Sequence, residues 1–138
     1  GVHITKMKNA VSNNFTYDFT HCPDLAQTIV ALCVAKNIEL TTKGVESLKI
    51  KETNRLLALQ NEVAKFGFDF QEQTNGDWLL KKNRDLESLH TITINTYEDH
   101  RMAMAFAPLA MLYLLVIEQP EVVHKSYPHF WREMQKLS

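Results

Sequence analysis

Residues 56–82 read LLALQNEVAKFGFDFQEQTNGDWLLKK, and within this stretch the apolar period changes from helical to strand-like. Leu56, Leu59, Val63 and Phe66 follow the spacing of one helix face, and Gly67 stands where a helix would stop. Phe68 to Gln73 and Trp78 to Lys82 then read as two strands of a hairpin. Between them lies Thr74-Asn75-Gly76-Asp77, in which Asn-Gly accepts the positive φ angles of a tight turn.

Working outward, Ile38 to Thr42 reads as a strand, with Gly44 and Ser47 punctuating the loop that follows. Upstream, Leu25 to Ala35 suits a buried helix whose start is marked by Pro23, and Phe15 to Phe19 alternates like a strand. Downstream come a strand at Thr91–Ile94, an uncharged apolar run from Met102 to Ile117, and an amphipathic helix from Tyr127 to Leu137. The apolar run falls short of the roughly 20 residues that span a bilayer. Pro108 interrupts it, so it reads as a buried helix with a short strand near Val116-Ile117. The order strand, helix, strand, helix, hairpin, strand, helix, strand, helix predicts an α+β, layered α/β architecture in which the strand-helix pattern recurs once.

Composition narrows the function. With 15 Lys+Arg against 16 Asp+Glu the net charge is -1, which argues against a nucleic-acid binder or a polybasic membrane anchor. Any anionic partner must meet a local cluster of cations. Cys22 and Cys33 lack CxxC spacing, and His3, His21, His90, His100, His124 and His129 are scattered, so neither a metal site nor a disulfide framework is expected. A reducing cytoplasm fits this cysteine usage. The opening Gly1-Val2-His3-Ile4-Thr5 lacks an initiator Met and reads like a strand joined midway, as in a piece of a longer polypeptide.

Cations sit where helices are expected to begin. Lys49-Ile50-Lys51-Glu52-Thr53-Asn54-Arg55 puts three of them in and just before a first helical turn, an unfavourable place for Lys and Arg unless an anion lies among them. A solvated face relieved by Glu52 is the plainer alternative. Arg101 repeats the pattern beside Asp99 and His100, where Asp99 also suits a helix cap. Asp24 divides between a cap and a functional carboxylate, and Met102, Met104, Met111 and Phe106 read as core filling.

These stretches resemble the 5-enolpyruvylshikimate-3-phosphate synthases. Cys22-Pro23-Asp24-Leu25-Ala26 is similar to the family's proline-aspartate helix start, and Lys49 to Arg55 is similar to its lysine-glutamate-threonine/serine-aspartate-arginine signature. Asp99-His100-Arg101-Met102-Ala103-Met104 resembles a family hallmark, and Lys125-Ser126-Tyr127-Pro128 with Phe130 its C-terminal end. Asn54 departs from the family's usual Asp, and Ser47 stands where some members place an Asn that contacts shikimate 3-phosphate.

The resemblance implies part of an inverse α/β-barrel-like domain, with residues 1–138 holding about two of its three repeat units, in the last third of a monomeric cytoplasmic enzyme without cofactor. It implies transfer of the enolpyruvyl group of phosphoenolpyruvate to the 5-hydroxyl of shikimate 3-phosphate, in the pathway to chorismate that glyphosate targets. Asp24 and Glu52 would be catalytic; Asp24, Lys51 and, where it replaces Asn, Ser47 would hold shikimate 3-phosphate; Arg55, Arg101 and Lys125 would clamp phosphoenolpyruvate. The missing N-terminal part of the polypeptide would supply the other wall, leaving the piece inactive alone. Two alternatives are a stand-alone small-anion-binding module and a fragment of UDP-N-acetylglucosamine enolpyruvyl transferase.

Overall fold

The computed structural model of the chain describes residues 12–51, 53–86 and 90–137. Strand β1 (Asn14–Asp18) runs through a 3-10 turn at Pro23–Leu25 into helix α1 (Ala26–Lys36) and returns as β2 (Glu39–Lys43), parallel to β1. A second 3-10 segment (Glu46–Ile50) leads to α2 (Arg55–Ala64), followed by the hairpin β3 (Phe68–Glu72) and β4 (Trp78–Lys82). The four strands form one sheet in the order β1-β2-β4-β3, with β4 antiparallel to both neighbours. A second strand-helix-strand unit follows, β5 (Ile92–Ile94), α3 (His100–Phe106) and β6 (Leu115–Ile117), whose two strands are again parallel. Helix α4 (Phe130–Gln135) ends the described chain.

The core lies between the sheet and its helices. Across the sheet Leu40 faces Leu80 and Leu80 faces Phe70, all buried, so one face is continuous and apolar. Helix α2 covers it with Leu56, Leu59 and Val63, and α1 with Val30 and Val34. Each such large side chain removed from water contributes roughly 1.5–3 kcal/mol. Phe66 stacks on Phe106 of α3 at 6.1 Å, which joins the two units into one core.

Three expectations need correction. The apolar run from Met102 is not one buried helix: α3 stops at Phe106 and a 3-10 segment (Ala107–Met111) carries Pro108 in its first turn, while the short strand expected near Val116-Ile117 is present as β6. Proline has no N–H to continue the α ladder, and Met111, Leu112, Leu114 and Val116 emerge on the surface. The last helix is shorter than Tyr127–Leu137, because Tyr127 is irregular and Pro128-His129 turn before the helix begins at Phe130. In the hairpin only Gly76 has positive φ (86°), and the connection is a longer loop from Gln73 to Asp77. Asn75 instead accepts from the Asp77 N–H at 3.1 Å through its side chain.

Candidate functional site

Asp24 sits at the first turn after β1, and its position is set by local hydrogen bonds. The Asp18 carboxylate accepts from the Thr20 N–H at 2.9 Å and the Thr20 hydroxyl at 2.6 Å, which reverses the chain at the strand end. These two bonds hold the Asp18 carboxyl below its ordinary pKa of 3.8. Gly44 permits the crossing: its φ is +73°, and a Cβ there would lie 2.2 Å from Thr20 N. Cys22 N–H then donates to Phe19 O and Leu25 N–H to Cys22 O, so Pro23-Asp24-Leu25 turns into α1. No side-chain cap bond forms at the start of that 3-10 turn or of α1 among the described residues, so Asp24 is not an N-cap.

The lysine-rich motif divides in space. Lys49 lies in the 3-10 segment before Lys51 and leaves the cluster, its Nζ bonding Glu72 at 3.1 Å and lying 5.8 Å from the Trp78 ring centre. Lys51 follows that segment in extended conformation and reaches Asp24 at 3.9 Å. Asn54 caps α2 by accepting from the Leu57 N–H at 3.2 Å, a role Asn fills as well as Asp, so this departure costs the helix nothing. Arg55 is the first residue of α2 and is not solvated: its side chain is 4% exposed.

Burying a guanidinium requires partners, and it has three. Arg55 Nε and Nη2 donate to the two oxygens of Asp99 at 2.5 and 3.3 Å, and Nη1 donates to Asp24 Oδ1 at 2.8 Å. Buried Gln27 of α1 completes the surroundings: with its amide turned so that the nitrogen donates to the Asp24 carbonyl at 3.3 Å, its oxygen lies 3.0 Å from Arg55 Nε and shares with Asp99 the one hydrogen there. Asp99, fully buried, also caps α3 by accepting from the Arg101 N–H at 2.9 Å. Arg101 Nη2 then reaches Asp24 Oδ2 at 3.2 Å.

Asp24 therefore accepts from Arg55 on one oxygen and Arg101 on the other, with Lys51 nearby. Its side chain is 40% exposed, and those of Lys51 and Arg101 38% each, so the cluster opens to solvent on one side above a buried Arg55–Asp99 pair. Three cations against two carboxylates, with free acceptor capacity on Asp24, suit a ligand carrying both hydroxyls and anionic groups. Of the expected site residues, Asp24, Lys51, Arg55 and Arg101 come together. Ser47 is exposed in the 3-10 segment, Lys125 lies in the exposed turn after Val123, and Glu52 lies outside the described residues. Sequence reasoning gave Asp99 only a capping role and passed over Gln27; the sole signal for the former was a carboxylate two residues before a helix-start arginine.

The sequence profile of EPSP synthase (3-phosphoshikimate 1-carboxyvinyltransferase) matches residues 3–134. A 3-phosphoshikimate 1-carboxyvinyltransferase of Bacteroides fragilis strain YCH46 is 45% identical over 99% of this chain and 33% of its own length. The corresponding protein of Neisseria gonorrhoeae is 29% identical over 99% of this chain and 31% of its own. A solved structure of EPSP synthase from Acinetobacter baumannii shares the fold with a TM-score of 0.56 at 22% identity, covering 79% of this chain and 26% of that one. The chain thus spans about a third of the length of the curated relatives it matches. By a profile match over nearly its whole length, the chain belongs to the EPSP synthase family.

Proposed function

We propose that this chain carries part of the site at which the enolpyruvyl group of phosphoenolpyruvate is transferred to the 5-hydroxyl of shikimate 3-phosphate. The observation that supports it is the gathering of Lys51 and Arg55 from one segment and Arg101 from another around one accessible carboxylate, Asp24. Both substrates are anionic and one is a polyol, which matches a carboxylate acceptor ringed by cations. Asp24 accepts the 5-hydroxyl proton as the oxygen bonds to C2 of phosphoenolpyruvate, and a proton is delivered to C3, giving a tetrahedral intermediate. Loss of a proton from C3 and cleavage of the bond between C2 and the phosphate oxygen then restore the C2=C3 double bond and release phosphate.

Glu52 is assigned the proton at C3, Lys51 and Ser47 the shikimate 3-phosphate, and Arg55, Arg101 and Lys125 the carboxylate and phosphate of phosphoenolpyruvate. Arginine suits those groups because its fork binds them bidentately and stabilises charge as it moves to the leaving phosphate; Arg55, whose side chain is 4% exposed with three N–H groups on Asp99 and Asp24, has only its two remaining Nη N–H groups to offer. The rest of the polypeptide supplies the facing wall, and closure excludes water. On this reading the chain alone is inactive. Phosphate release from phosphoenolpyruvate and shikimate 3-phosphate should be absent with this chain, appear when the remaining two thirds of a full-length relative is added, and be abolished by Asp24→Ala. Turnover by the chain alone would refute the shared site, and a folded, associated but silent mixture would refute the reaction.

A further inference from the structure

Glu62 of α2 lies outside the Asp24 cluster, yet it is a fully buried carboxylate with both oxygens occupied. Oε1 accepts from the Tyr97 hydroxyl at 2.8 Å, and Oε2 accepts from Lys65 Nζ at 2.7 Å and the Asn95 N–H at 3.2 Å. Lys65 Nζ also donates to Thr93 O at 2.8 Å. Apart from the Lys65–Glu62 bond, which lies within α2 and its C-terminal cap, these links run from the α2 end to β5 or to the segment between β5 and Asp99.

That segment makes a turn its residues disfavour. Thr96 O accepts from the Asp99 N–H at 2.9 Å, and the two residues between, Tyr97 and Glu98, have φ of 54° and 57°. Consecutive positive φ values are the mark of a type I′ turn, which favours Gly, Asn and Asp and sets Cβ against backbone in other residues. Thr96 is itself buried and its hydroxyl donates to Gln119 at 3.4 Å, so one end of the turn is fixed to the chain after β6. The other end is Asp99, which holds Arg55 and caps the helix bearing Arg101. A turn without suitable residues must be held by its surroundings; Tyr97 packs on the core, with Asn61 and Asn95 also beside its hydroxyl, and its 2.8 Å bond to Glu62 ties the strained centre to a fully buried charge.

We propose that Glu62 and Tyr97 are positioning residues: their hydrogen bond keeps Tyr97-Glu98 in the left-handed region and thereby sets Asp99, Arg55 and Arg101 in the geometry that surrounds Asp24. The proposal rests on the function proposed above for the ligands this geometry serves, but not for the geometry itself. A merely structural Glu62 would tie α2 to β5 and leave the arginine unaffected.

The test is hydrogen exchange at the Arg55 Nε–H, followed by NMR in the ¹⁵N-arginine-labelled chain without substrate. Tyr97→Phe should speed it about tenfold relative to the slowest backbone amides, the effect of losing a hydrogen bond to a buried charge. Glu98→Asn in that background should recover most of the protection, because Asn adopts the left-handed region readily. Unchanged Arg55 exchange in folded Tyr97→Phe, or acceleration that Glu98→Asn does not reverse, would overturn the proposal. Should Tyr97→Phe not fold, Glu98→Asn alone decides: slower exchange supports the proposal, and unchanged or faster exchange overturns it. Because no substrate is present, this result is independent of the turnover assay.

Discussion

Replacing Asp99 with Ala strips Arg55 of its principal partner while leaving the cation buried. The loss comprises two hydrogen bonds, at 2.5 and 3.3 Å, to a side chain 4% exposed, and the cap bond to the Arg101 N–H at 2.9 Å. Orphaning one member of a buried pair costs about 3–5 kcal/mol, and a lost cap about 0.5–2 kcal/mol. The two share one carboxylate and do not add, and Asp24 still holds Nη1, so about 4 kcal/mol is expected for Asp99→Ala. Asp99→Asn keeps the cap and the shape but removes the charge, for about 2 kcal/mol. With a urea slope of about 2 kcal/mol per M, the midpoints should fall by about 2 M and about 1 M. Adding Arg55→Met to Asp99→Asn removes the orphaned cation and should recover at least part of the loss. A folded Asp99→Ala chain within about 1 kcal/mol of native, or equal effects of Ala and Asn, would refute the assignment of Asp99 as the anchor of Arg55.

Gly44→Ala should lower the melting temperature by about 4–8 °C in a thermal scan, because it forces a Cβ to 2.2 Å from Thr20 N at φ +73°. Burial pushes the Cys33 thiol up to about 11, so alkylation at neutral pH should label half-buried Cys22 first and reach Cys33 only on unfolding. The Asp18 carboxyl, held below 3.8 by Thr20, stabilises the fold above that pH and ceases to do so as pH falls through its folded value. The stability gap between native and Asp18→Asn, read from urea midpoints at pH 7 and pH 3, should therefore narrow in acid.

Features encoded within a few residues were legible in the sequence. The change of apolar period at Gly67 placed α2 before the β3–β4 hairpin, and Gly67 indeed has φ +80°. The recurrence of strand, helix and strand was readable too, since burial on one face imposes its period on each element separately. The motifs at Asp24, Lys49–Arg55 and Asp99–Arg101 marked a charged site because residue type and order carry that information.

What the sequence could not assign was the partner of each charge, which depends on distances across the fold. Nothing local distinguishes Lys49, drawn to Glu72 and Trp78, from Lys51, drawn to Asp24. Nor does the motif reveal that Arg55 is buried between Asp24 and Asp99, residues 31 and 44 positions away. The left-handed turn at Tyr97-Glu98 runs against local preference, and its Tyr97 hydroxyl bonds buried Glu62 35 positions away. Local sequence determined the helices, the strands and the chemical types at the site. Desolvation and charge pairing, which act between distant segments, decided which cation is buried, which is exposed, and how Asp24 is surrounded.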